Sequence, residues 1–236
     1  LDELDLETEA SMQWRFHRAL RAHPLLTVPA PITRLAHEGV LVSEWVDGVP
    51  LWQAPDSDQA AARLLLFVLG AGSAGLAHAD PDPNDALVLA DGRLAIVDFG
   101  ATRAVDPARS ARIAAVVDAF TGQDPERLGA ALESLGLLPA GLGSTALELA
   151  RHALGELARP EPARLDFAAV IAARDRLFER DEELLEVLLH GRLPPEELWP
   201  ARGVAQLFSA IARVGASGCW PELVRAGVRD GWDARL

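Results

Sequence analysis

His78-Ala-Asp-Pro-Asp-Pro-Asn-Asp-Ala-Leu-Val-Leu-Ala-Asp-Gly-Arg-Leu-Ala-Ile-Val-Asp-Phe-Gly100 is the stretch on which the reading of this chain turns. Ala86 to Leu89 and Leu94 to Val97 are short apolar runs joined at Asp91-Gly92, a strong hairpin signal. Strands this short bring the chain back to its starting point. Asp98 is therefore expected beside the loop that holds Asp80 and Asp85. Three carboxylates meeting at one end of a hairpin repel one another unless a cation sits among them. Mg²⁺, which takes one or two carboxylates plus phosphate oxygens, is the natural resident. The competing reading is an acidic surface turn in a very acidic chain.

Outward from the hairpin, Leu1 to about Ala22 reads as one helix, with Leu4, Phe16 and Leu20 on one stripe and Pro24 as its stop. Ile32 to Ala36 and Val40 to Val46 read as short strands about a turn at His37-Glu38-Gly39, and Asp47-Gly48 is expected to lead the chain out of the sheet. Ser57 to about Ala77 has a helical pattern, stopped by Asp80-Pro81. From Pro107 onward the pattern is almost wholly helical, with breaks near Gly122, Gly136 to Gly143, Arg159 to Pro162 and Leu193-Pro194-Pro195. This order predicts an α+β fold with a polar cleft between a small sheet and a large helical lobe.

Composition narrows the function. The net charge of −13 argues against nucleic acid, which needs clustered basic residues, and weakly against anionic lipid. The lone Cys219 excludes an internal disulfide or a multi-cysteine zinc site and fits a reducing compartment. No stretch is long and apolar enough to span a bilayer; Val204 to Trp220 comes nearest, carries Arg213, and reads as a buried core helix. The chain contains no lysine, so a mechanism needing one must find it outside this sequence. Its start at Leu1 inside a helical pattern, with Met12 as its only methionine, is expected to mark a truncation.

Kinases use the spacing of the hairpin: an Asp orients the acceptor hydroxyl, a residue five positions later holds metal, and the Asp of Asp-Phe-Gly holds it too. His78-Ala-Asp-Pro and Asp98-Phe-Gly-Ala-Thr-Arg103 resemble the UbiB (AarF) family of atypical, protein-kinase-like proteins, in particular the branch of the coenzyme Q biosynthesis kinases. Glu3-Leu4-Asp5 and Glu9-Ala10 are similar to the family's motifs on its αC helix. The stretches from His23-Pro24 to Pro29, Val40 to Gly48 and Arg192 to Glu197 fit its pattern as well.

The resemblance implies a protein-kinase-like fold, with 1–47 as a partial small lobe (αC helix, strands, hinge) and 48–236 as a helical lobe with the catalytic loop. It implies ATP and Mg²⁺ as cofactors, Asp80 as the catalytic-loop Asp, Asp98 and Asp85 as metal ligands, and Glu9 as the partner of a nucleotide-clamping Lys. Glu44, Trp45 and Val46 would contact adenine through their backbone, Asp5 would share the cleft-facing side of the helix or remain a solvated charge, and His78 would be a structural hydrogen-bonder. Departures from the family pattern are Asn84-Asp85 in place of Gly-Asn and the lack of the Lys, the Lys-x-Gly-Gln extension and the Ala-rich nucleotide loop. Helix resumes so soon after Gly100 that a peptide platform does not fit, which favours a small-molecule or lipid acceptor, or ATP hydrolysis. The expected setting is cytoplasmic, with peripheral membrane association left open.

Three rival readings remain. Gly70-Ala-Gly-Ser-Ala-Gly75 spells a dinucleotide-binding fingerprint, decided by whether Leu64 to Leu69 is strand or helix; packing glycines are the alternative. An aminoglycoside/choline-type phosphotransferase shares the hairpin spacing. A pseudokinase or regulatory scaffold would suit Asp85 and the absent Lys.

Overall fold

Helix α1 (Leu6–Ala19) opens the part of the chain that the computed structural model describes, residues 5–37 and 39–235. Glu3, Leu4 and Glu38 lie outside the described residues. Asp5 is the N-cap of α1: its carboxylate accepts from the backbone N–H groups of Glu7 and Thr8 and from the Thr8 hydroxyl. Those bonds, the Thr8 hydroxyl first, hold its carboxyl below the usual range. That is a capping role, not a place in the cleft. The helix stops short of Ala22, and His23 organises the exit. Its Nδ1 accepts from the N–H groups of Leu25 and Leu26, so Nε2 donates to the Trp232 carbonyl.

Leu26–Thr27 forms β1 and Gly48–Pro50 forms β2. Between them the expected hairpin is only partly built. Thr33–Leu35 is a 3-10 turn, and pairing is limited to isolated bridges at Pro31–Ser43 and His37–Val40. Pro29 and Pro31 have no N–H to give, so a continuous ladder cannot form. Buried Gln13 ties the segment to α1 instead, its Nε2 donating to Pro29 O at 2.9 Å and Ser43 Oγ at 3.0 Å. Gly48 does not lead out of the sheet: β2 pairs antiparallel with a later strand, and a Cβ at Gly48 would lie 3.0 Å from the Val88 carbonyl.

Helix α2 (Ser57–Gly70), capped by Asp56, turns apolar all round in its second half and buries Leu64, Leu65, Leu66 and Phe67 completely. It ends at Gly70 rather than Ala77. A 3-10 turn and Gly75, at φ +69°, then lead into β3 (Leu76–His78). Leu64 to Leu69 is helix, which removes the dinucleotide reading. Its glycines serve packing: Trp232 lies against Gly70 and Ser110 against Gly72.

The predicted hairpin is present as β4 (Ala86–Leu89) and β5 (Leu94–Ile96). The sheet order is β1-β5-β4-β2, with β1 parallel to β5 and the other pairs antiparallel. β6 (Thr102–Ala104) pairs antiparallel with β3. The helical block comprises α3 (Ala108–Thr121), α4 (Pro125–Ser134), α5 (Gly143–Leu154), α6 (Phe167–Phe178), α7 (Asp181–His190), α8 (Leu198–Val214) and α9 (Trp220–Arg229). Two short strands interrupt it, β7 (Ala163–Leu165) and β8 (Ala216–Gly218), which pair with each other. Among the described residues no helix is long and apolar enough to cross a membrane. The fold is α+β, and its centre is aromatic: Phe16 of α1 and Phe67 of α2 pack with Phe99, His78 and Trp232 at ring separations of 5.2 to 6.5 Å.

Candidate active site

The β3–β6 ladder sets His78 opposite Thr102 and so clamps both ends of the decisive stretch together. His78 is buried, and its Nε2 donates to the Asp98 carbonyl at 2.9 Å. Its Nδ1 has no partner. Burial drives the imidazole below its ordinary pKa, against the pull of the Asp98 carbonyl and of the nearby Asp98 and Asp80 charges. His78 is thus the structural hydrogen-bonder the sequence suggested, held neutral as the Nε2–H tautomer. The linkage sign follows: below pH 6.5, its ordinary value, the unfolded chain takes a proton that the fold refuses. Stability is expected to fall as the pH drops from 7 toward 5, by up to about 1.4 kcal/mol per pH unit from this group. Urea titrations at several pH values should show that part of the slope missing in His78→Gln. An identical slope in both proteins would mean that the ring is not kept neutral.

From that anchor, Phe99 sends its ring into the aromatic core and its N–H to Glu9 Oε1 of α1 at 3.3 Å. The Thr102 hydroxyl donates to the Phe99 carbonyl at 2.7 Å, and Asp98 Oδ1 accepts from the Gly100 N–H at 2.9 Å. Glu9 therefore lies beside Asp98, as expected of a helix residue facing the cleft. Burial raises its carboxyl pKa and the Asp98 charge adds to the rise, while the Phe99 N–H opposes both. Asp85 is also pushed up, first by burial and then by Asp98, Asp82 and Asp80. Its backbone carbonyl takes the Val97 N–H, which ties it to the end of β5. Asn84 folds back on Asp82 through its N–H and its side-chain amide, while its Oδ1 accepts from Trp52 Nε1.

The three carboxylates are neighbours, yet they do not form the single three-handed grip expected of them. Among the described residues no cluster of three His, Cys, Asp or Glu side chains has metal-cage geometry. Asp80 turns instead to α8, where Arg202 Nη2 reaches Oδ2 at 2.8 Å and Gln206 Nε2 reaches Oδ1 at 3.0 Å. A guanidinium has supplied part of the charge compensation that was assigned to an ion. Glu44 is occupied elsewhere: its Oε2 accepts from the Ala30 N–H and its own N–H donates to Ala30 O. Trp45 is almost wholly exposed, and Val46 is half-buried.

Arg202 and Gln206 are site residues that the sequence reading missed, together with Trp199, whose ring lies 4.5 Å from the Arg103 guanidinium and 5.6 Å from that of Arg202. The available signal was an Arg and a Gln four apart on one helix face with Gly203 between them. Gly203 allows the contact, since a Cβ there would lie 2.3 Å from the His78 carbonyl.

Residues 1–132 match the family model of the ABC1 atypical kinase-like domain. The chain belongs to the ABC1 atypical kinase-like family. Within it, the chain is 33% identical over 108 residues to the chloroplastic protein ACTIVITY OF BC1 COMPLEX KINASE 1 of Arabidopsis thaliana, a match covering 42% of this chain and 16% of that protein. An uncharacterized protein of Synechocystis is 34% identical over 115 residues, covering 43% of this chain and 28% of that one. The chain therefore corresponds to a minor part of the length of these relatives. In fold it is similar to Rv3197 of Mycobacterium tuberculosis, determined in complex with erythromycin: the TM-score is 0.72 at 21% identity, over 99% of this chain and 60% of that one. The ABC1 match ends at 132 while this likeness runs on, so the helical block shares its fold with an experimentally known protein. Membership in the ABC1 family also sets aside the aminoglycoside/choline-type reading.

Proposed function

We propose that this ABC1 chain carries the metal- and acceptor-handling side of a Mg·ATP-dependent phosphotransferase or ATPase. The observation behind this reading is the crowding of Glu9 and Asp85 around Asp98, where burial and then like charge push both neighbouring carboxyls up. Like charges held together in a half-buried place are relieved by a hard divalent cation. Mg²⁺ asks for only one or two protein carboxylates and keeps water or phosphate oxygens as its other ligands. The donor set fits that demand without a closed cage, and Asp98 and Asp85 would hold the ion. Bound there with nucleotide, Mg²⁺ would neutralise charge on the transferring phosphoryl group.

Asp80, kept in one orientation by Arg202 and Gln206, would direct the acceptor hydroxyl or an attacking water. Glu9 would pair with a nucleotide-clamping cation from outside this lysine-free sequence. Only the short β6 and a few residues separate Gly100 from α3, which leaves little room for a peptide platform and favours a small-molecule or lipid acceptor, as in quinone or lipid metabolism.

Mg²⁺ with ATP should raise the thermal unfolding midpoint of the protein. Asp98→Asn should lose that shift, its Mg·ATP affinity falling by about tenfold or more, as expected for a lost charge-assisted ligand. Equal Mg·ATP shifts in both proteins would remove Asp98 from the site and the reading with it. A regulatory scaffold is the second reading, favoured by Asp85 in the usual Asn position and by the engagement of both Asp80 oxygens. Binding of Mg·ATP without hydrolysis or transfer would select it.

A further inference from the structure

A cavity of about 920 Å³ lies in the helical block, lined by residues of α3, α4, α5, α6, α7, α8 and α9. Its lining shares no residue with the carboxylate group of the candidate active site. Val117, Leu132, Ala150, Ala173 and Phe208 are typical of its walls, which are apolar apart from Thr121 and Arg192. The Thr121 hydroxyl is turned back on the Val117 and Asp118 carbonyls, so its proton is spent within α3. Water needs two or more polar partners to stay in such a place. The cavity is open to solvent, and its lining residues Leu154, Val170, Leu188 and Leu193 are exposed, so a ligand that covers them removes apolar surface from water. The volume falls in the range of small-molecule pockets, roughly 300 to 1,000 Å³.

Two features describe the guest. Helices α6 and α7 bury none of their residues fully, and their lining residues Val170 and Leu188 are apolar and exposed. Arg192 is the one charged residue in the described lining; its backbone N–H is fixed to Leu137 O at 2.9 Å, and the residue is exposed. An apolar chamber whose described lining carries a single, solvent-exposed cation matches an apolar chain with an anionic end.

We propose that this cavity binds one single-chain amphiphile, with a fatty acyl chain inside and an anionic head at Arg192. The inference does not depend on the phosphotransferase reading, because it is read by binding and not by turnover. The test is displacement of a fluorescent acyl probe by oleate below its micellar concentration, with stoichiometry from native mass spectrometry. One oleate per chain is expected. Ala150→Phe and, at the more exposed wall, Val170→Trp fill the chamber and should each weaken oleate by tenfold or more while unfolding stays cooperative; either one that folds suffices. Arg192→Gln should weaken oleate by about tenfold, the worth of one charge-assisted contact, and leave oleyl alcohol unchanged. No saturable displacement, or filled variants that bind oleate as the parent does, would overturn the site. Arg192→Gln that leaves oleate untouched, or weakens alcohol and oleate alike, would overturn the anionic head.

Discussion

Replacing Arg109 by Ala is expected to lower the unfolding free energy by about 3 to 5 kcal/mol, the loss typical of a buried ion pair stripped of one partner. Arg109 sits in the first turn of α3 and Glu197 in the turn that enters α8, 88 positions later. Arg109 Nε lies 2.8 Å from both carboxylate oxygens and Nη2 lies 2.6 Å from Oε2, while Glu197 is only 4% exposed. Without the guanidinium that carboxylate keeps its desolvation penalty and loses its compensation. It can escape only by moving into water, which displaces the start of α8. Replacing both partners together (Arg109→Met with Glu197→Leu) should restore most of the stability, because a buried pair adds little over apolar side chains of similar size. Urea denaturation of the single and double variants gives both numbers. An Arg109→Ala protein within 1 kcal/mol of the parent would show that water already serves Glu197. The pair also bears on the site: α8 carries Arg202 and Gln206, so a shifted entry would loosen the hold on Asp80.

That pair illustrates what the sequence alone could not show. The β4–β5 hairpin was readable because Asp91-Gly92 encodes its turn locally, and Gly92 does adopt φ +86°. Helices α1 and α2 were readable from their apolar spacing, and the meeting of Glu9 with the Asp98 region followed from the family resemblance. The misses are of another kind. β3 and β6 are three-residue strands about 25 positions apart, and β7 and β8 are about 50 apart; none carries a pattern of its own. The break between α6 and α7 at Glu179–Arg180 contains no Gly or Pro. The partners of Asp80 come from α8, 122 and 126 positions away, and no local spacing announces them. Gly48 misled because the glycine that suggested a turn serves close strand approach. Carboxylates could be placed near one another by hairpin geometry; which cation each one would find depended on tertiary packing.

Phe99→Ala is the second large effect, expected at about 3 to 5 kcal/mol. The Phe99 ring is 1% exposed and packs on Phe16, Phe67 and His78, drawn from α1, α2 and β3. No neighbouring helix can collapse into the void without leaving its own contacts, so the cavity term should be close to fully felt. Phe99→Leu keeps most of the apolar volume and should cost much less, on the order of 1.5 kcal/mol. The pair of variants also separates packing from chemistry. Asp98 is aimed by what holds the residues beside it: the His78 bond on its carbonyl, the Gly100 N–H on its carboxylate, and the buried ring of the next residue. If that ring is what aims Asp98, Phe99→Leu should bind Mg·ATP more weakly than its small stability loss explains, and Phe99→Ala more weakly still, both measured well below their unfolding midpoints. Nucleotide binding at the parent level in a folded Phe99→Ala protein would mean that the polar bonds alone orient the carboxylate, and that the aromatic core serves stability only.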